Sequence, residues 1–207
     1  MCAAALMHRY RCQIGVRHLK YWKPIQTGIE QDDDSADVAR LGTCEPYEML
    51  AKGVRLEHPV SPHLAARMAG RPIDLDAVAD LIRTEPATTR WIVEGAGGAL
   101  VPINASTLMV DLMKRLGLPV LVVSRSTLGT INHTLMTLEA LRSRSLIVAG
   151  VVMIGPADKN NREAIETYGG VPVVGEMPRF DSVTPDIVGH WAATALDPAG
   201  SLERHFQ

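Results

Sequence analysis

Apolar and polar positions along this chain follow two alternating periods. Stretches of strand length fall at 15–22, 91–93, 118–124, 146–154 and 171–174. All but the first, which carries Arg17, His18 and Lys20, are nearly apolar throughout, the pattern of strands buried on both sides. Between them, 35–41, 74–82, 107–116, 130–142 and 161–168 carry the spacing of amphipathic helices. A further helix opens at Ser61-Pro62, with Ser61 as N-cap and proline in the first helical position. Gly117 ends the helix before the 118–124 strand. Strands alternating with helices predict an α/β fold, a parallel sheet with helices on both faces. No repeat, low-complexity tract or domain boundary interrupts the pattern, so residues 1–207 read as a single domain. In such a sheet ligands bind beyond the carboxyl ends of the strands. The segments to inspect are therefore 23–34, 94–104, 124–132, 155–161 and 176–181.

Composition narrows the function classes. A hydrophobic share of 46% and a net charge of −2 are those of a globular chain with a core. They give no reason to expect a nucleic-acid partner or a membrane surface. Cys2, Cys12 and Cys44 are odd in number and lack metal-ligand spacing, which predicts reduced thiols in a cytoplasmic protein. The apolar runs are too short to span a bilayer. Residues 1–7 are apolar, but no basic segment precedes them, and they do not read as a signal peptide.

Three of the strand-end segments carry chemistry. Lys23-Pro24-Ile25-Gln26-Thr27-Gly28 places a cation where a phosphate or carboxylate would bind. Alone, it also reads as a surface lysine before an ordinary turn. Asp32-Asp33-Asp34 offers hard oxygen ligands of the kind Mg²⁺ takes one or two at a time. Alternatively the run is a solvated loop, with Asp34 capping the next helix. Glu94-Gly95-Ala96-Gly97-Gly98 sets an acid at a strand end, followed by glycines that let backbone N–H groups approach a ligand. Acids so placed hold Mg²⁺ in nucleotide enzymes. A fourth segment, Gly129-Thr130-Ile131-Asn132-His133-Thr134, opens a helix that Thr130 could cap and whose N-terminus suits an anion; a capped helix with no ligand is the more usual case.

Taken in order, these motifs resemble dethiobiotin synthetase. The resemblance covers nearly the whole chain and includes the Asp run before Val38-Ala39-Arg40-Leu41, Ser61-Pro62-His63-Leu64-Ala65-Ala66 and Gly175-Glu176-Met177-Pro178. It implies a P-loop NTPase-like fold, a homodimer, and an ATP- and Mg²⁺-dependent ligase of biotin biosynthesis. The substrates would be 7,8-diaminononanoate, CO₂ and ATP. Lys23 corresponds to the catalytic lysine and Thr27 to a substrate contact. Asp34 and Glu94 correspond to the carboxylates on metal and nucleotide, with Asp32, Asp33 and Asp37 as neighbours of Asp34 that could replace it. Glu94, Gly95, Ala96 and Gly97 would line the nucleotide. Thr130 and Asn132 would receive the substrate carboxylate from the neighbouring subunit. Pro178, Arg179 and Phe180 fall at the adenine-side loop.

Two departures accompany the resemblance. The family begins with a strand and a phosphate loop of the type Gly-Thr-Asp-Thr-x-Val-Gly-Lys-Thr, and no Gly-x-x-x-x-Gly-Lys-Ser/Thr occurs in these 207 residues. Residues 1–7 correspond to the middle of the helix after that loop. An N-terminal strand and phosphate loop are thus expected to be missing, with unpaired neighbours, an opened core and reduced or absent turnover. Either translation starts upstream of Met1 or the product is a truncated remnant; the retained Lys23 and Glu94 favour the former. The second departure is Ile154-Gly155, where the family has an adenine-reading Asn, which leaves nucleotide preference open. The rival readings are a ParA/MinD-like ATPase and a non-catalytic dimerising or ligand-binding protein.

Overall fold

Residues 1–11 and 18–206 are described by a computed structural model. Cys12 and the start of the expected 15–22 strand lie outside them. Helix formers dominate the first residues, and Cys2–Arg11 forms α1, burying Ala3, Ala4, Ala5, Met7 and Tyr10. The chain continues through β1 (Leu19–Trp22), β2 (Ile25–Thr27), α2 (Asp34–Leu41), β3 (Met49–Leu50), β4 (Val54–Leu56), α3 (Pro62–Met68) and α4 (Leu75–Asp80). It then forms β5 (Arg90–Val93), α5 (Met109–Leu116), β6 (Val120–Arg125), α6 (Thr130–Arg142), β7 (Val148–Ile154), α7 (Lys159–Gly169), β8 (Val173–Met177) and α8 (Pro185–Thr194).

The strands make two three-stranded sheets, β3-β1-β5 and β6-β7-β8, and a small β2-β4 pair. Every ladder between named strands is parallel, as apolar runs alternating with helices predict. Alternate strand residues face opposite ways and meet different helices. Leu19, Tyr21, Val152 and Val174 pack in one core with residues of α1, α2 and α8. Val151, Met153 and Val173 pack in another with residues of α5, α6 and α7. Both faces are therefore covered, giving an α/β fold of parallel strands between helices. Trp22 joins a third cluster with α3, α4 and α5.

The two larger sheets are not continuous. Between β5 and β6 lies a cavity of about 940 Å³, walled by Trp91, Val93, Leu121, Val123, Met113 and the start of α1, among others. Among the described residues β5 pairs only with β1, and β6 only with β7. The 118–124 run was expected to be buried throughout, yet Val123 is 49% exposed because it faces this space.

Several element ends differ from the periodic pattern for local reasons. Asp33, not Asp34, caps α2, its carboxylate accepting from the N–H groups of Ser35 and Ala36. Asp33 has the extended backbone of a cap, so Asp34 is already the first helical residue. Gly129 stands at the start of α6 with φ of 90°, so Thr130 lies inside the helix rather than capping it. Helix α5 begins at Met109 and not at 107, because the Asn104 carboxamide holds the N–H groups of Ser106 and Thr107 in a turn. Asp158 caps α7 and starts it at Lys159, before 161. Strand β8 begins at Val173, since Pro172 has no N–H to give a ladder. The 74–82 segment splits into α4 and a 3₁₀ turn over Leu81–Thr84. At Ser61-Pro62 the proline takes the expected position, but the Ser61 hydroxyl bonds His63 instead of the helix.

Candidate functional site

Strand β1 ends at Trp22, and the next residue points its side chain inward. Lys23 is only 5% exposed, so it is not a surface lysine before a turn. Its ammonium has three partners: Asp34 Oδ2 at 2.6 Å, Glu94 Oε1 at 3.2 Å and the Gly95 carbonyl at 3.1 Å. Burying an ammonium is costly unless charge and hydrogen bonds compensate it, and here both do. Glu94 arrives from β5, whose register on β1 is set by the ladder and continued by the Glu94 N–H bonding to the Trp22 carbonyl at 2.9 Å. The Arg55 guanidinium holds the Lys23 carbonyl at 2.9 Å.

The Asp run is thereby resolved. Asp33 is the cap, Asp37 pairs with Arg40, and Asp32 is exposed; Asp34 alone of the four reaches Lys23. Its side chain and that of Glu94 remain 40% and 34% exposed, leaving oxygen lone pairs open to a ligand. Two carboxylates on one cation position match what Mg²⁺ takes from protein. Among the described residues no cluster of three or more His, Cys, Asp or Glu could hold a metal, so the other ligands would be water and phosphate oxygens. The donor set fits Mg²⁺.

Glu94, Gly95, Gly97 and Thr130 border the cavity between the sheets, whereas Ala96 is buried in the core. Gly97 has φ of 77°, and a Cβ there would stand 2.9 Å from Val101 Cγ2, so the turn needs glycine. Thr130 is buried, with its hydroxyl 3.4 Å from that of Thr134. Asn132 is exposed on α6 and Thr27 half-buried at the end of β2. Pro178 and Arg179 are exposed after β8, while Phe180 is partly buried against the core that includes α1 and α8 residues. Among the described residues no hydrogen bond or ion pair joins Thr27, Asn132 or the 178–180 loop to the lysine cluster.

Two residues that the motifs passed over belong to this cluster's support. Tyr21 donates its hydroxyl to Glu94 Oε2 at 3.2 Å. Gln26 is buried, and its amide nitrogen bonds the carbonyls of Thr27 and Asp32, tying the strand to the acidic loop. Tyr21 stands two residues before Lys23 and so on the same side of the strand, a signal available in the spacing.

The family profile described as an AAA domain matches residues 1–186. An ATP-dependent dethiobiotin synthetase from Paramagnetospirillum magneticum is 50% identical over 164 residues, covering 79% of this chain and 77% of that protein. A biotin biosynthesis bifunctional protein from Bordetella avium is 45% identical over 174 residues, covering 83% of this chain and 36% of that protein. The chain thus spans about three quarters of the first relative and about a third of the second. A ParA family ATPase from Chlorobium tepidum superposes with a TM-score of 0.49 at 14% identity over 99% of this chain and 90% of that one, too distant to bear on function.

Proposed function

This chain belongs to the ATP-dependent dethiobiotin synthetase family, and from that premise we propose that it serves the ATP-driven closure of the ureido ring of dethiobiotin. The observation that carries the reading is the buried Lys23 ammonium fixed between Asp34 and Glu94 at the carboxyl ends of β1 and β5. A neutral amine of 7,8-diaminononanoate takes up CO₂ as a carbamate and gives up a proton. A carbamate oxygen attacks the γ-phosphorus of ATP and ADP leaves. The second amine attacks the activated carbon, phosphate departs and a proton is released.

In this reading Lys23 stabilises the negative charge of the carbamate and of the phosphoryl group in transfer. The two carboxylates and the Gly95 carbonyl fix where that cation sits. Asp34 and Glu94 would hold Mg²⁺, which would neutralise phosphate charge. Glu94, Gly95, Ala96 and Gly97 line the nucleotide, and Pro178, Arg179 and Phe180 its adenine side. Thr27 contacts the diamine. Thr130 and Asn132, at the N-terminus of α6, receive the substrate carboxylate across a homodimer interface. Two free thiols, Cys2 and Cys44, agree with a cytoplasmic setting. Among the described residues no helix is long and apolar enough to cross a membrane.

The test is phosphate release by the purified chain that depends on both diamine and bicarbonate. Tight diamine binding without turnover would instead support a ligand-binding protein of the same family. Undiminished turnover by Lys23→Ala would remove the lysine from the mechanism.

A further inference from the structure

We propose that Tyr21 is a positioning residue that fixes the Glu94 carboxylate for the nucleotide-bound metal. The inference rests on Glu94 having that role, as set out above. Tyr21 is fully buried in the middle of the β3-β1-β5 sheet, opposite Met49 on one side and Ile92 on the other. Its ring belongs to the core under α1 and α2, so the hydroxyl has little freedom. That hydroxyl donates to Glu94 Oε2 at 3.2 Å, while Lys23 donates to Glu94 Oε1 at 3.2 Å.

Each carboxylate oxygen thus has one donor from β1 or its end. The terminal torsion of a glutamate is broad and easily turned. Two donors on different oxygens hold the carboxylate plane, and a single donor would let it swing. A carboxylate accepts about four hydrogen bonds or metal bonds. Two sites are taken from within, and the group is still 34% exposed, so the remaining capacity is open to a ligand. Lys23 by itself cannot serve this purpose, because its ammonium is shared with Asp34 and the Gly95 carbonyl.

A tyrosine whose hydroxyl merely satisfied its own burial would look similar in a static structure, and a double-mutant cycle separates the two. MgATP is titrated calorimetrically into the wild-type chain, Tyr21→Phe, Glu94→Gln and the double variant, each with its melting temperature. A hydrogen bond to a charged group corresponds to a factor of about ten in binding. Tyr21→Phe is expected to weaken MgATP binding about tenfold and to leave ATP binding in EDTA unchanged. In the Glu94→Gln background the same substitution is expected to have no further effect. Unaltered MgATP affinity in Tyr21→Phe overturns the proposal, as does a full tenfold loss that persists in Glu94→Gln. Unaltered affinity in Glu94→Gln itself is a different result, which removes the metal-holding role of Glu94 and Tyr21's role with it. A wild-type chain that binds no MgATP takes the nucleotide reading and this proposal together.

Discussion

A lysine shared by two carboxylates leads a double life. In the folded chain it neutralises them; in the proposed reaction it must attend to an incoming anion. The two roles coexist because Asp34 and Glu94 are 40% and 34% exposed and can turn to a metal when one is bound. Removing the lysine leaves two carboxylates facing each other without a counter-charge. Lys23→Ala should lower stability by only about 1–3 kcal/mol, since water reaches both acids. Turnover should fall by roughly 10²–10³, the usual loss when a preorganised charge-stabilising group is deleted. A denaturant curve and a steady-state assay on the same preparation check both halves. At this scale the sequence was readable for Lys23 and Glu94, because each directly follows an apolar strand. For Tyr21 the two-residue offset from Lys23 was the one signal, and a tyrosine within a strand is more readily read as core. Its ring is indeed core, and only its oxygen belongs to the site.

Elements position these residues through their ends. Asp33, Asp74 and Asp158 each accept two backbone N–H groups at the start of α2, α4 and α7. The first of these caps sets Asp34, which sits in the opening turn of α2. Asp33→Ala should cost about 1 kcal/mol of stability. It should also fray that turn, weakening MgATP binding through Asp34 while leaving the Tyr21–Glu94 bond intact; chemical denaturation and calorimetry read the two effects. Three adjacent aspartates look alike in sequence, and backbone conformation alone decides which one caps and which one faces the site. For the same reason Gly129, with a left-handed φ, took the position assigned to Thr130. The longer strands and α6 were visible because several periods repeat within them. Strands β2, β3 and β4 have two or three residues each and show no period at all. They exist because neighbouring backbone offers a ladder, which no local pattern announces.

Across the molecule, α1 is tied to the far end of the chain. Tyr10 stacks on Phe206 with ring centroids 4.1 Å apart and donates to Asp197, which also accepts from the N–H groups of Ser201 and Leu202. Burial first, and then Asp197, push the Tyr10 phenol well above its ordinary range, as burial and Glu94 do for Tyr21. An acid whose pKa is higher in the folded state holds its proton there while the unfolded chain releases it. Its contribution is complete below the unfolded pKa near 10 and is lost as pH rises beyond it. With two such groups, stability should fall by up to about 2.7 kcal/mol per pH unit above pH ~10. Tyr10→Phe should roughly halve that slope in urea titrations between pH 9 and 11, values chosen to bracket the ordinary phenol range of about 10. The space between β5 and β6 has a consequence of another kind. It is open to solvent, and Val123 on its wall is 49% exposed, so water lies against apolar side chains of both half-sheets in the folded chain. Apolar surface left wet gives up the stabilisation its burial would supply and attracts apolar molecules instead. A dye such as ANS should therefore bind the native chain, and Val123→Glu should weaken that binding in a fluorescence titration.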